Sequence, residues 1–217
     1  MEANSIMKTK KFMFAVSIIL ITSFVCCGFM MSCQQNNSKL SESQISELRA
    51  EYPLIKDSMI AFDFPNLPLE TMIELLPIIA EIELIEVLPD YTVEITAEID
   101  GKIVSNDILF HQYKINVSEV VRNTIGTELN DTIVICFADH FKDSFPVLKD
   151  GVKYIVTLEE AGGPHEGKYL YSSNIAYYIT DDNYILSVYE EHGNVRHSGM
   201  TKDNFLKTIS EYAKAVK

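Results

Sequence analysis

Between Tyr91 and Ile99 the chain alternates without a break, with Tyr91, Val93, Ile95, Ala97 and Ile99 on one parity and Thr92, Glu94, Thr96 and Glu98 on the other. A helix cannot sort such a segment onto two faces; a strand does so residue by residue. The same period returns in Tyr113, Ile115 and Val117 against Gln112, Lys114, Asn116 and Ser118. It returns again in Val152–Leu158 and in Tyr169, Tyr171, Ile175, Tyr177 and Ile179. One-sided alternation belongs to antiparallel sheets with one face on a core, so Tyr91–Ile99 is expected to be half buried. Asp100-Gly101 is the pair that a tight hairpin turn wants. Ile82 and Leu84 lie on the opposite parity from Ile85 and Val87, and a bulge at Leu84-Ile85 absorbs the slip. Thr132–Phe137, apolar on both parities, reads as a central strand, and Tyr184–Tyr189 as the last one.

The ends of the body change period. Ser41-Glu42-Ser43-Gln44 has the form of a capping box, and a helix is expected over about 42–51, with Ile45 and Leu48 on one face. Pro68 can open a second helix over about 68–76, which Pro77 ends. Thr201 caps a terminal helix, with Phe205, Ile209 and Tyr212 sharing a face over 202–215. The expected class is therefore α+β and mainly β. The architecture is a single small antiparallel barrel or curled sheet of 6–7 strands, with short N-terminal helices and a C-terminal helix.

Ahead of this body stands a different kind of sequence. Lys8, Lys10 and Lys11 precede the uncharged run Phe12–Met31, the order of a secretory leader, and Met7 opens its better-formed basic region. The run ends in Met30-Met31-Ser32-Cys33, followed by the polar Gln34-Gln35-Asn36-Asn37-Ser38. This resembles the lipobox of bacterial lipoproteins, in which a small residue precedes a cysteine that is lipidated and becomes the mature N-terminus. The resemblance implies a signal peptide over 1–32, a lipidated Cys33, a tether and short helix over 33–54, and one β-rich extracytoplasmic domain over 55–217. It implies the membrane as a partner, reached through the anchor. The alternative is an uncleaved span, since about 20 apolar residues cross a bilayer.

Charge and cysteines narrow the partners further. The net charge is −13, and removing the leader's three lysines and one glutamate leaves −15 on the body. Such a body does not grip a polyphosphate, so nucleic acid is excluded as the expected partner, and it does not lie on anionic headgroups. Only Cys136 remains in the body, within an apolar run, and its ordinary role is a small buried hydrophobe. The run from Val120-Val121 through Gly126 and Asp131–Val134 to Phe145-Pro146-Val147-Leu148-Lys149-Asp150-Gly151-Val152-Lys153-Tyr154 is similar to a pattern in uncharacterised surface lipoproteins of Gram-positive bacteria. There it forms part of a small β domain and carries no activity.

Motifs with chemistry are sparse. Gly162–Lys168 satisfies the spacing of a phosphate loop, but Tyr169 stands where Ser or Thr should follow, and a strand comes next instead of a helix. It reads as a hairpin loop. His192 and His197 with Glu191 are the candidates for a metal, at a spacing that no standard zinc site uses. Asp139-His140 lacks the nucleophile elbow of a hydrolase. His111 shares the parity of Tyr113 and is expected at the rim of the sheet, and Tyr169 and Tyr171 are candidates for a ligand-stacking surface. The expectation is a lipid-anchored binding or interaction domain with no cofactor and no catalysis. The alternative is a secreted hydrolase or metal-dependent enzyme using His111, Asp139, His140, His192 and His197.

Overall fold

A computed structural model describes residues 39–55, 67–126, 128–189 and 196–215. The leader, Cys33, Glu191 and His192 lie outside them. The described residues belong to one compact unit, Lys39–Lys217. Its elements in chain order are α1 (Glu42–Leu48), α2 (Leu69–Leu75), β1 (Ile78–Ile99), β2 (Lys102–Asn123), β3 (Thr132–Ala138), β4 (Lys153–Glu160), β5 (Tyr169–Ile179), β6 (Ile185–Ser187) and α3 (Lys202–Ala215). Single-turn 3₁₀ segments at Asp139–Ser144 and Gly163–His165 follow β3 and β4.

The body is mainly β, with helices at its ends, as the alternation implies. The capping box forms as written, with Ser41 and Gln44 satisfying each other's backbone N–H groups. Pro68 occupies the cap position of α2, one residue before the helix. Thr201 Oγ1 accepts the backbone N–H of Asn204 at 3.4 Å and caps α3. Among the described residues the strands form one sheet in the order β3-β2-β1-β4-β5-β6. All neighbours in that order are antiparallel, and a short parallel contact of β3 with β5, Ile135 against Tyr169 and Cys136 against Leu170, turns the sheet back on itself.

Two apolar clusters use the two sides of this sheet. One takes residues from all six strands, among them Ile82, Ile115, Ile135, Tyr154, Tyr171 and Leu186, with Ile45 and Leu48 of α1 packed against it. The other lies between the outer side of the sheet and the helices, where Ile73 of α2 and Phe205 and Ile209 of α3 meet Ile79, Ile155 and Tyr177. Gly199 has φ +84°, and a Cβ there would lie 3.0 Å from Ile45 Cδ1 and 3.1 Å from Leu40 Cβ, so only glycine lets the N-terminal segment dock.

Two expectations fail, each for a reason in strand pairing. In β5 the parity does not run through: the register with β4 slips between Val156 and Thr157, opposite Ala176 and Ser172. Tyr169, Tyr171 and Tyr178 therefore share the inner cluster, while Tyr177 and Ile175 face the helices. Tyr91–Ile99 is also not half buried on a core. Only Ile78–Glu83 of β1 pair with β4, and only Phe110–Asn116 of β2 pair with β3. Beyond these the hairpin continues as a two-stranded arm, Tyr91–Ile99 against Lys102–Phe110, turned by Asp100 and Gly101 at φ +52° and +74°. Ile95 is 44 % exposed and Val104 38 %.

Candidate functional site

The root of the arm is where the polar and aromatic side chains gather. The alternation breaks at Pro89-Asp90: Leu88 pairs with Gln112 and Tyr91 with Phe110, so two residues of β1 oppose the single His111 of β2. This is a bulge, and it bends the ribbon away from the sheet. Proline fits there because it has no N–H to give the ladder. Gln112 Nε2 donates to the Pro89 carbonyl at 2.5 Å and holds the bulge from the side.

His111 clasps the bend. Its Nδ1 lies 3.1 Å from Asp90 Oδ1 and its Nε2 2.9 Å from Asp139 Oδ1, on the turn after β3. Burial disfavours the imidazolium, but the hydrogen bonds and charges of Asp139 and Asp90 outweigh it and raise the pKa above the ordinary histidine value. Asp139 is correspondingly lowered, first by the His111 hydrogen bond and then by Lys142. Both ring nitrogens are occupied by carboxylates, which leaves none to activate a hydroxyl nucleophile.

Tyr91 pins the arm to the opposite rim. Its hydroxyl is 2.6 Å from Nδ1 of His165, in the loop between β4 and β5, and the Lys168 ammonium sits 3.4 Å from the centre of its ring. Burial, with a contribution from Cys136, raises the Tyr91 pKa, so the phenol keeps its proton and donates. Burial and Lys168 lower the pKa of His165. A neutral His165 that accepts at Nδ1 carries its hydrogen on Nε2. Phe110 stacks between these partners, 5.5 Å from Tyr91 and 4.3 Å from His165.

Between the two pins lies a cavity of about 350 Å³. Ile95, Ile108 and Phe110 of the hairpin form one wall, and Phe137, Phe141 and Tyr171 stand across it. The few polar side chains at its edge include His140, His165 and Glu159. Its volume is within the range of small-ligand sites, and its lining is apolar with sparse polar groups.

The residues picked out by sequence are distributed unevenly around it. Tyr171 and His140 line the cavity, and His111 sits beside it with its ring 5.4 Å from that of Phe137. Tyr169 borders a second, polar depression with Lys114 and Lys168. His197 is far from both lists: it is 7 % exposed, accepts from Arg196 Nε at 3.1 Å, and its pKa is pushed down to about 4 by burial and by Arg196. Among the described residues no three His, Cys, Asp or Glu side chains group as a metal site. Cys136 is buried, and burial raises its thiol pKa. Gly162–Lys168 is the β4–β5 loop, and His165 within it supplies a cavity side chain instead of a phosphate cradle. Sequence reasoning missed Tyr91, Phe110 and Asp90 as site residues. The available signal was the parity slip at Pro89-Asp90, directly after Val87 and before Tyr91.

No protein-family model matches the chain, and no curated protein matches it.

Proposed function

We propose that the chain is an extracytoplasmic protein held to the membrane by a lipid on Cys33, and that its β domain is a small barrel that binds a small apolar ligand without chemical conversion. The observation that carries this reading is the apolar cavity at the arm root, walled by Ile108 and Phe110 on one side and Phe137 and Phe141 on the other. The ring order β1-β2-β3-β5-β4 supports comparison with the five-stranded Greek-key barrels of the OB type, whose ligands sit against strands 2 and 3 and the loops 1–2 and 4–5. The cavity occupies the corresponding place. Oligonucleotides and oligosaccharides, the usual ligands there, need a basic or polar lining; here aliphatic and aromatic side chains take that place.

The two halves of the reading are tested separately. Cells expressing the chain should incorporate labelled palmitate into it, and Cys33→Ala should abolish the label and leave an uncut precursor. An unlabelled parent with the same gel mobility as Cys33→Ala would make Phe12–Met31 a plain membrane span. For the cavity, residues 39–217, which contain both apolar clusters, are titrated with N-phenyl-1-naphthylamine. Saturable fluorescence enhancement is expected. A charge in the cavity wall, Ile108→Glu, should weaken it about tenfold or more. Val147→Glu, at a 73 % exposed position outside the cavity, should not.

A further inference from the structure

The arm has a face that the cavity does not use up. Cross-strand partners share a side of the ribbon, and Val93 with Ile108, Ile95 with Asn106, and Ala97 with Val104 make one side apolar. The other side carries Thr92 with Leu109, Glu94 with Asp107, and Thr96 with Ser105. Ile95 and Ile108 belong at once to the apolar side and to the cavity wall. The cavity therefore opens onto an apolar strip that continues toward Ala97 and Val104, with no layer of the protein over it among the described residues. A two-stranded ribbon gains little stability alone, and an apolar strip left bare on it marks a contact surface.

The dimensions decide what covers it. Nine residues at the rise of a strand make an arm about 30 Å long, and two strands make it about 10 Å wide. Two copies stacked face to face would bury on the order of 600 Å², about half of what a standard stable interface needs. A compact aromatic molecule would fill the cavity and leave the strip bare. A flexible apolar chain fills the one and covers the other. Resting on the reading of the cavity as a ligand site, we infer that the ligand is a single-chain amphiphile with an uncharged, hydrogen-bond-accepting head, its chain laid along the apolar side of the arm. The head finds the Nε2–H of His165, whose other nitrogen is taken by Tyr91 and which has no further partner among the described residues. Glu159 at the same edge opposes a carboxylate head, and Lys168 over the Tyr91 ring opposes an ammonium head.

The test uses displacement of N-phenyl-1-naphthylamine from residues 39–217 by monolaurin, laurate and dodecyltrimethylammonium, each below its micelle concentration. Monolaurin should compete about tenfold better than either charged chain. Val104→Glu, on the strip but outside the cavity lining, should weaken monolaurin about tenfold and leave the probe itself unchanged. His165→Phe should erase the preference for monolaurin over laurate. If monolaurin fails to displace the probe, if Val104→Glu does not affect it, or if charged heads compete equally, the inference is wrong while the apolar site stands. If the wild-type protein takes up no probe saturably, both fall.

Discussion

Tyr171 and His111 show how single residues at this site differ in what they contribute. The Tyr171 hydroxyl is buried without a hydrogen-bond partner, and Tyr189, Tyr154 and Tyr178 surround it electrostatically. A buried hydroxyl left unpaired costs about 1–3 kcal/mol. Tyr171→Phe keeps the ring that stacks on Phe145 at 4.6 Å, and we expect it to leave stability unchanged or to raise it by about 1 kcal/mol, read as the urea midpoint. A loss of that size would show that the hydroxyl has a partner. His111 acts through its charge. Its folded pKa is raised, so its contribution is complete below the unfolded value of about 6.5 and disappears as pH rises through the folded value. The three side chains are 23 %, 43 % and 40 % exposed, so solvent screening limits the gain to about 1 kcal/mol. The stability difference between wild type and His111→Gln should be largest near pH 6 and shrink toward pH 9. A difference that stays constant with pH would mean that packing against Phe137, and not the charge, is what His111 supplies.

Elements are held to one another by a small number of contacts of this kind. Glu81 of β1 has a side chain only 4 % exposed, with Lys202 Nζ of α3 at 2.6 Å and Lys153 Nζ of β4 at 3.4 Å. Burial alone would raise its pKa; the Lys202 and Ser118 hydrogen bonds and the two lysine charges lower it instead. Glu81→Gln breaks a largely buried pair, and since Lys202 keeps Glu119 at 3.4 Å the expected loss is about 2 kcal/mol, below the full cost of stranding a buried charge. The folded pKa is depressed, so this difference is present above the unfolded value and fades as pH falls through the folded one. Urea unfolding at neutral and acid pH reads both, and an unchanged midpoint at neutral pH would contradict the role of Glu81. The arm, by contrast, is bound to the body only at its root. Replacing 94–107 by Asn-Gly keeps Val93 paired with Ile108 across a two-residue turn. The shortened protein should melt within about 4 °C of the parent, the shift that about 1 kcal/mol produces at this size. It should also lose monolaurin binding. A collapse of the melting point would show that the arm supports the core.

On the scale of the whole molecule, the strands, their turns and the terminal helix were legible because each is a local pattern. Asp100-Gly101 turns where the pair says it should, the slip at Leu84-Ile85 is a register shift between Leu84 and Glu86, and α3 spans the expected residues. What strands do with one another is not local. The alternation of Tyr91–Ile99 demands a covered side, and the reading assumed that the body itself covers it; pairing ends at Glu83 and Phe110, and the side stays open. The site was hidden for the same reason. Tyr91, His111, Asp139 and His165 come from three separate stretches that meet only when the bulge at Pro89-Asp90 bends the arm over the mouth of the sheet. The central claim is that this meeting forms a ligand site continuous with the arm. Its most direct test is a methyl NMR titration of residues 39–217, labelled at Ile, Leu and Val, with monolaurin. The account predicts that the methyl signals of Ile95, Ile108, Leu170 and Val104 move together and saturate, while those of Ile185 and Ile209, in the cluster under the helices, stay in place. Saturable shifts confined to other methyls, or no saturable shift at all, would contradict it.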